Sequence, residues 1–74
     1  MKARYMVTNH PGVVVVLRVE LDNGETASTT HGFQTVFEAN EYCRRNLADR
    51  GITEPPAQTW ENGCPTWAYP WVQL

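Results

Sequence analysis

The side chains best suited to chemistry in this chain are two histidines and two cysteines: His10, His31, Cys43 and Cys64. Nominally they form a tetrahedral zinc set. Their separations, twenty-one, twelve and twenty-one positions, lack the close pairs by which one turn presents two ligands to a single ion. No metal site is expected. A thiol nucleophile is the second chemistry to weigh. Cys43 falls on the apolar stripe of a predicted helix, where a thiol acts as a small hydrophobe. Cys64 lies in an Asn62-Gly63-Cys64-Pro65 turn that could expose it. A reactive thiol needs a base or a positive field nearby, and no sequence neighbour supplies one. Glu38 and Glu41 share a helix face, but capping already accounts for Glu38. The five glycines are isolated and form no phosphate loop. No catalytic residue and no cofactor is assigned, and the chain reads as a non-enzyme.

The remaining candidate is aromatic. Trp60, Trp67, Tyr69 and Trp71 crowd the last fifteen residues. In one extended strand Trp67, Tyr69 and Trp71 would share a face, with Trp60 facing them across a turn. Such a face can pack on the helix and complete a small core. It can also form an exposed anchor patch for a protein partner, since Trp and Tyr bury much area with few rotors. The two roles are compatible if Trp60 or Trp71 lies inside and the others outside. Arg44 and Arg45 read as a solvated helix face, or as a contact for an acidic partner.

Composition excludes several classes. The chain has 74 residues, six basic and eight acidic side chains, and a net charge of −2. Direct nucleic-acid binding is not expected, because phosphate neutralisation calls for a basic stripe; Glu38, Glu41 and Asp49 interrupt the arginines of the helix. The acidity is equally too weak for an overt DNA mimic, although seven acids against three arginines from Asp22 onward leave a local acidic face open. The start has no apolar segment of a signal peptide, and Val13 to Leu17 is too short an apolar run to span a membrane. A cytoplasmic location follows as the expectation, with both thiols reduced. A Cys43–Cys64 disulfide is left open.

The elements expected to position these residues form one domain, residues 1–74. Arg4 to Thr8 reads as a strand and Asn9-His10-Pro11-Gly12 as a turn. In Val13 to Leu21, Val13, Val15, Leu17, Val19 and Leu21 make a core face, while Val14, Val16, Arg18 and Glu20 make the other. Asn23-Gly24 predicts a type I′ hairpin turn into an edge strand, Thr26 to Thr30, which exits through His31-Gly32-Phe33. Thr35 and Glu38 form a capping box for a helix over Val36 to Arg50. Val36, Ala39, Cys43 and Leu47 line its buried side, Glu41 and Arg45 pair outside, and Gly51 with Ile52 ends it. After Pro55-Pro56 come a strand over Ala57 to Glu61, a turn at Asn62-Gly63, and a strand over Thr66 to Val72. Pro70 confines that last strand to an edge or ends it early. The fold class is α+β: a small antiparallel sheet of hairpins on one amphipathic helix, in the order β-β-β-α-β-β.

The Met1-Lys2 start, the hairpin from Val13 to Thr30, the capped helix at Thr35-Val36-Phe37-Glu38 and the Trp-rich end resemble small phage and mobile-element proteins, the anti-CRISPR proteins first among them. The resemblance spans the whole chain as size and architecture, and it carries over no functional residue. It implies a phage-encoded, stoichiometric inhibitor that binds a bacterial defence complex such as a CRISPR effector. The near-neutral charge favours steric or allosteric blockade over DNA mimicry. The alternative is a self-assembling structural or adaptor module, pairing through the Thr26 to Thr30 edge; monomer and homodimer both remain open.

Overall fold

The computed structural model describes residues 1–12, 14–29 and 33–74. Strands β1 (Lys2–His10), β2 (Val14–Leu21) and β3 (Thr26–Thr29) precede helix α1 (Val36–Ala48). Strands β4 (Ala57–Glu61), β5 (Cys64–Ala68) and β6 (Val72–Gln73) follow it. All six form one sheet, ordered β3-β2-β1-β5-β4, with β6 also paired to β1. Every pairing is antiparallel. The α+β class and the β-β-β-α-β-β order hold, with the last expected strand divided in two. His31, and the Val13 and Thr30 ends of two expected strands, lie outside the described residues.

The first strand is longer than its sequence pattern suggests. Asn9 and His10 continue β1 opposite Val15 and Val14, and the bend is deferred to Pro11 and Gly12, whose φ is 87°. The Asn23-Gly24 turn also differs. Among the described non-glycine residues only Asn62 has positive φ, so Asn23 cannot be the first residue of a type I′ turn. Leu21 and Glu25 instead bracket a three-residue loop, with Gly24 at φ 93° and Asn23 Oδ1 accepting from the Glu25 N–H at 2.9 Å. This matches a type I turn closed by a glycine bulge. Asn62-Gly63, with φ values of 50° and 79°, is the type I′ turn.

Helix α1 begins as its sequence requires. Thr35 Oγ1 accepts from the Glu38 N–H at 3.2 Å, and the Glu38 carboxylate accepts from the Gln34 N–H, one residue before the cap, at 3.2 Å. The helix stops at Ala48 rather than Arg50. The Ile52 N–H donates to the Leu47 carbonyl and the Gly51 N–H to that of Ala48, both at 2.9 Å, the paired bonds of a Schellman stop. Glu41 pairs with Arg44 at 3.2 Å, not with Arg45.

The core lies between α1 and one face of the sheet. Ala39, Cys43 and Leu47 meet Val7, Val15, Leu17 and Tyr69, with Tyr5, Val36, Ile52, Trp67 and Val72 around them. Burial pushes the Cys43 thiol up to about 12, so at neutral pH it is a protonated packing group. Both cysteines are free.

Among the described residues no helix covers the opposite face, yet Met6, Thr8, Cys64 and Thr66 are buried there. Arg18 on β2 explains this. Its guanidinium crosses β1 and β5 to reach the Glu61 carboxylate on β4 at 2.5 Å, with Met6 Sδ beneath it at 3.6 Å. At ~4.8 Å per strand, a flat sheet would hold β2 and β4 roughly 14 Å apart, so the sheet must curl to let them meet. Under this strap the Thr8 and Thr66 hydroxyls pair at 3.1 Å, and Thr66 donates onward to the Cys64 carbonyl at 3.2 Å. Thr66→Val should therefore cost about 1–3 kcal/mol, because it strands the buried Thr8 hydroxyl. Adding Thr8→Val should recover part of that loss. Urea denaturation of the two single variants and the double variant measures this non-additivity.

Candidate functional site

Pro70 decides how the aromatic residues are distributed. The β1–β5 register pairs Met6 with Ala68, whereas the β1–β6 register pairs Ala3 with Val72. Three residues, Tyr69, Pro70 and Trp71, therefore face two, Arg4 and Tyr5. This is a bulge, and it reverses the alternation of faces. Tyr69 turns into the core, 2% exposed, and its hydroxyl donates to Asn40 Oδ1 at 2.5 Å. Burial raises its pKa, with the neighbouring Cys43 adding to the rise and Arg44 opposing it. Trp67 is half-buried on the same side, opposite Val7. Trp71 turns outward on the other face, where the Arg4 guanidinium stacks on its ring at 4.5 Å while holding Glu20 at 2.8 Å.

The expected single face of Trp67, Tyr69 and Trp71 is thereby corrected: the bulge separates Trp71 from the other two. Of the two outcomes expected at Pro70, the strand ends early: β5 stops at Ala68 and lies between β1 and β4, and β6 resumes beyond the bulge, paired with β1. Pro65 within β5 loses no bond to β4. In a two-residue hairpin the flanking pair, here Glu61 and Cys64, exchanges backbone bonds. The Pro65 nitrogen then points away from β4, and the β1–β5 ladder ends at Thr8 and Thr66.

The same alternation defines the open edge. Ala57, Thr59 and Glu61 spend their backbone groups on β5, while Gln58 and Trp60 direct theirs outward. Residues Ala57 to Trp60 are all exposed. Trp60 is 63% exposed and stands opposite Pro65, next to the Gln58–Trp67 pair. Helix α1 packs on β1 and β2, so it leaves this flank of its own sheet face uncovered. The site is thus a strand edge whose outward donors and acceptors have no strand partner among the described residues, beside an exposed indole.

The other candidates lie elsewhere. Arg44 is engaged by Glu41, and Arg45 is exposed beside Phe33, Phe37 and Tyr42 on the outer side of α1. Tyr42 links that cluster to the sheet, with ring centroids 5.6 Å from Phe33 and 6.3 Å from Tyr5. Surface clefts of about 160, 340 and 370 Å³ reach at most the low end of small-molecule pockets. Among the described residues no group of three or more His, Cys, Asp or Glu side chains is arranged to hold a metal ion. No helix among them is long and apolar enough to cross a membrane.

Two features escaped the sequence. Cys64 is a buried strand residue rather than a turn residue, and His10 Nδ1 lies 3.8 Å from its sulfur. The β1–β5 register brings them together across fifty-four positions, a distance no local pattern spans. The edge backbone of β4 was readable in principle, from the Asn62-Gly63 turn and the parity of Trp60 relative to it.

Comparison finds no match to a protein-family model, a curated protein or a solved structure.

Proposed function

We propose that this protein is a non-enzymatic binding module that captures an extended segment of a partner protein along β4. The observation that carries the reading is Trp60, 63% exposed on β4, an end strand of the sheet whose outward backbone groups have no strand partner among the described residues. Strand addition takes its affinity from main-chain bonds and its selectivity from adjacent side chains. Natural edges are commonly protected by lysine, proline or a covering loop. Ala57 to Trp60 contains neither lysine nor proline, and no described element covers it. The partner class proposed, on the resemblance in size and architecture, is a bacterial defence complex such as a CRISPR effector, blocked stoichiometrically in the host cytoplasm.

The test is affinity capture from a lysate containing an active defence complex. Wild type is compared with Trp60→Ser, and with Gln58→Pro, which removes an outward donor. Both variants should stay folded and lose the partner by tenfold or more, as for an interface hot spot worth about 2 kcal/mol. Capture unchanged by both variants would sink the β4 assignment. A second reading, self-assembly, is favoured by the presence of two open edges, β3 and β4. It requires a molecular mass in solution that rises with concentration.

A further inference from the structure

The pairing of Cys64 with His10 lies outside the β4 site and suggests a separate chemistry. The two thiols of the chain occupy opposite faces of the sheet. Cys43 has no exposed surface and lies among apolar side chains. Cys64 is buried too, at 7% exposure, but it lies beside the exposed His10: its Sγ meets His10 Nδ1 at 3.8 Å and the Asn62 carbonyl at 3.9 Å. His10 is the last residue of β1 and is exposed, so a proton on its ring exchanges with solvent. The other charged groups facing this row are Glu61, opposite Cys64 on β4, and Arg18 from β2. They pair with one another, and among the described residues His10 is the basic side chain in contact with the sulfur. A thiol beside an accessible imidazole is the nucleophile–base arrangement.

We infer that Cys64 is a modification site for small-molecule disulfides, with His10 as its base. The thiol proton passes to His10 Nδ1, and the Cys64 sulfur attacks one sulfur of the disulfide. The disulfide bond breaks as the new S–S bond forms, and the departing thiolate takes the proton back from His10. Cys64 is oxidised to a mixed disulfide while half of the reagent is reduced to a free thiol.

The test uses the folded full chain and an aromatic disulfide whose released thiolate is coloured, with peptide mass mapping of the adduct. One equivalent should react quickly and map to Cys64, while Cys43 reacts only in denaturant. A free thiol is only a few per cent thiolate at neutral pH, so His10→Ala should slow the reaction about tenfold there. His10→Gln, which keeps a polar group near the sulfur without a titratable base, should be as slow as His10→Ala. Circular dichroism confirms that both variants fold. Equal rates in wild type and His10→Ala would overturn the inference. So would restored speed in His10→Gln, or simultaneous labelling of both cysteines, which would report unfolding.

Discussion

Tyr69→Ala is expected to destabilise the protein by about 3–5 kcal/mol, the range for truncating a buried aromatic side chain. A domain of this size has a total margin of roughly 4–11 kcal/mol, so much of the variant should unfold in mild urea. Tyr69→Phe keeps the ring and loses the hydroxyl's contacts with Asn40 and Arg44, so it should cost about 1 kcal/mol. The contrast separates packing from hydrogen bonding at one position. It also bears on any mutational search for the partner surface. Tyr69 looks like an interface aromatic in sequence, yet loss of binding in Tyr69→Ala would report unfolding, whereas loss in Trp60→Ser would report contact. An unchanged urea midpoint for Tyr69→Ala would contradict its place in the core.

Leu17→Ala should have a comparable effect. Leu17 is among the most buried side chains and packs in the cluster that joins β1 and β2 to α1. Removing its branched end leaves a void that a six-stranded sheet under a single helix can close only in part. The expected loss is about 3 kcal/mol, with roughly 4–8 °C of melting temperature per kcal/mol in a domain this small. Phe37→Ala is the matched control. Phe37 is a larger side chain but 70% exposed on the outer side of α1, so its removal should change stability by no more than about 0.5 kcal/mol. Thermal melts of the two variants side by side test whether burial, rather than residue size, sets the cost.

The legible parts of this fold are those that local chemistry writes. Alternation along Val13 to Leu21 identified the core face of β2, on which Val15 and Leu17 are buried. The Thr35 cap, the Ala39-Cys43-Leu47 stripe and the Gly51-Ile52 stop identified the helix to within two residues at its end. What escaped depends on register between distant segments. Nothing near His10 shows that Cys64 will lie beside it, and nothing near Arg18 shows that Glu61 will close over Met6. Pro70 was visible as a break, but whether it ends a strand or bulges one depends on β1 opposite it. That difference sends Trp71 to the other face from Trp67. The aromatic cluster was expected to place Trp60 or Trp71 inside; the assignment is reversed, with Tyr69 and Trp67 inward and Trp60 and Trp71 exposed, because it depends on the partner strand.

The position of β1 has a consequence for how the molecule is made. It is the central strand and the first to be synthesised, but only its β2 side can be completed early. Val7 waits for Trp67, sixty positions later, before its second flank is paired. During synthesis the nascent chain can assemble β1, β2, β3 and α1 while the middle of the eventual sheet is still an open margin. A message truncated before Cys64 would fix that margin permanently, displaying the backbone of the innermost strand to any neighbouring chain. Such fragments should be found in inclusion bodies even where the full chain stays in solution.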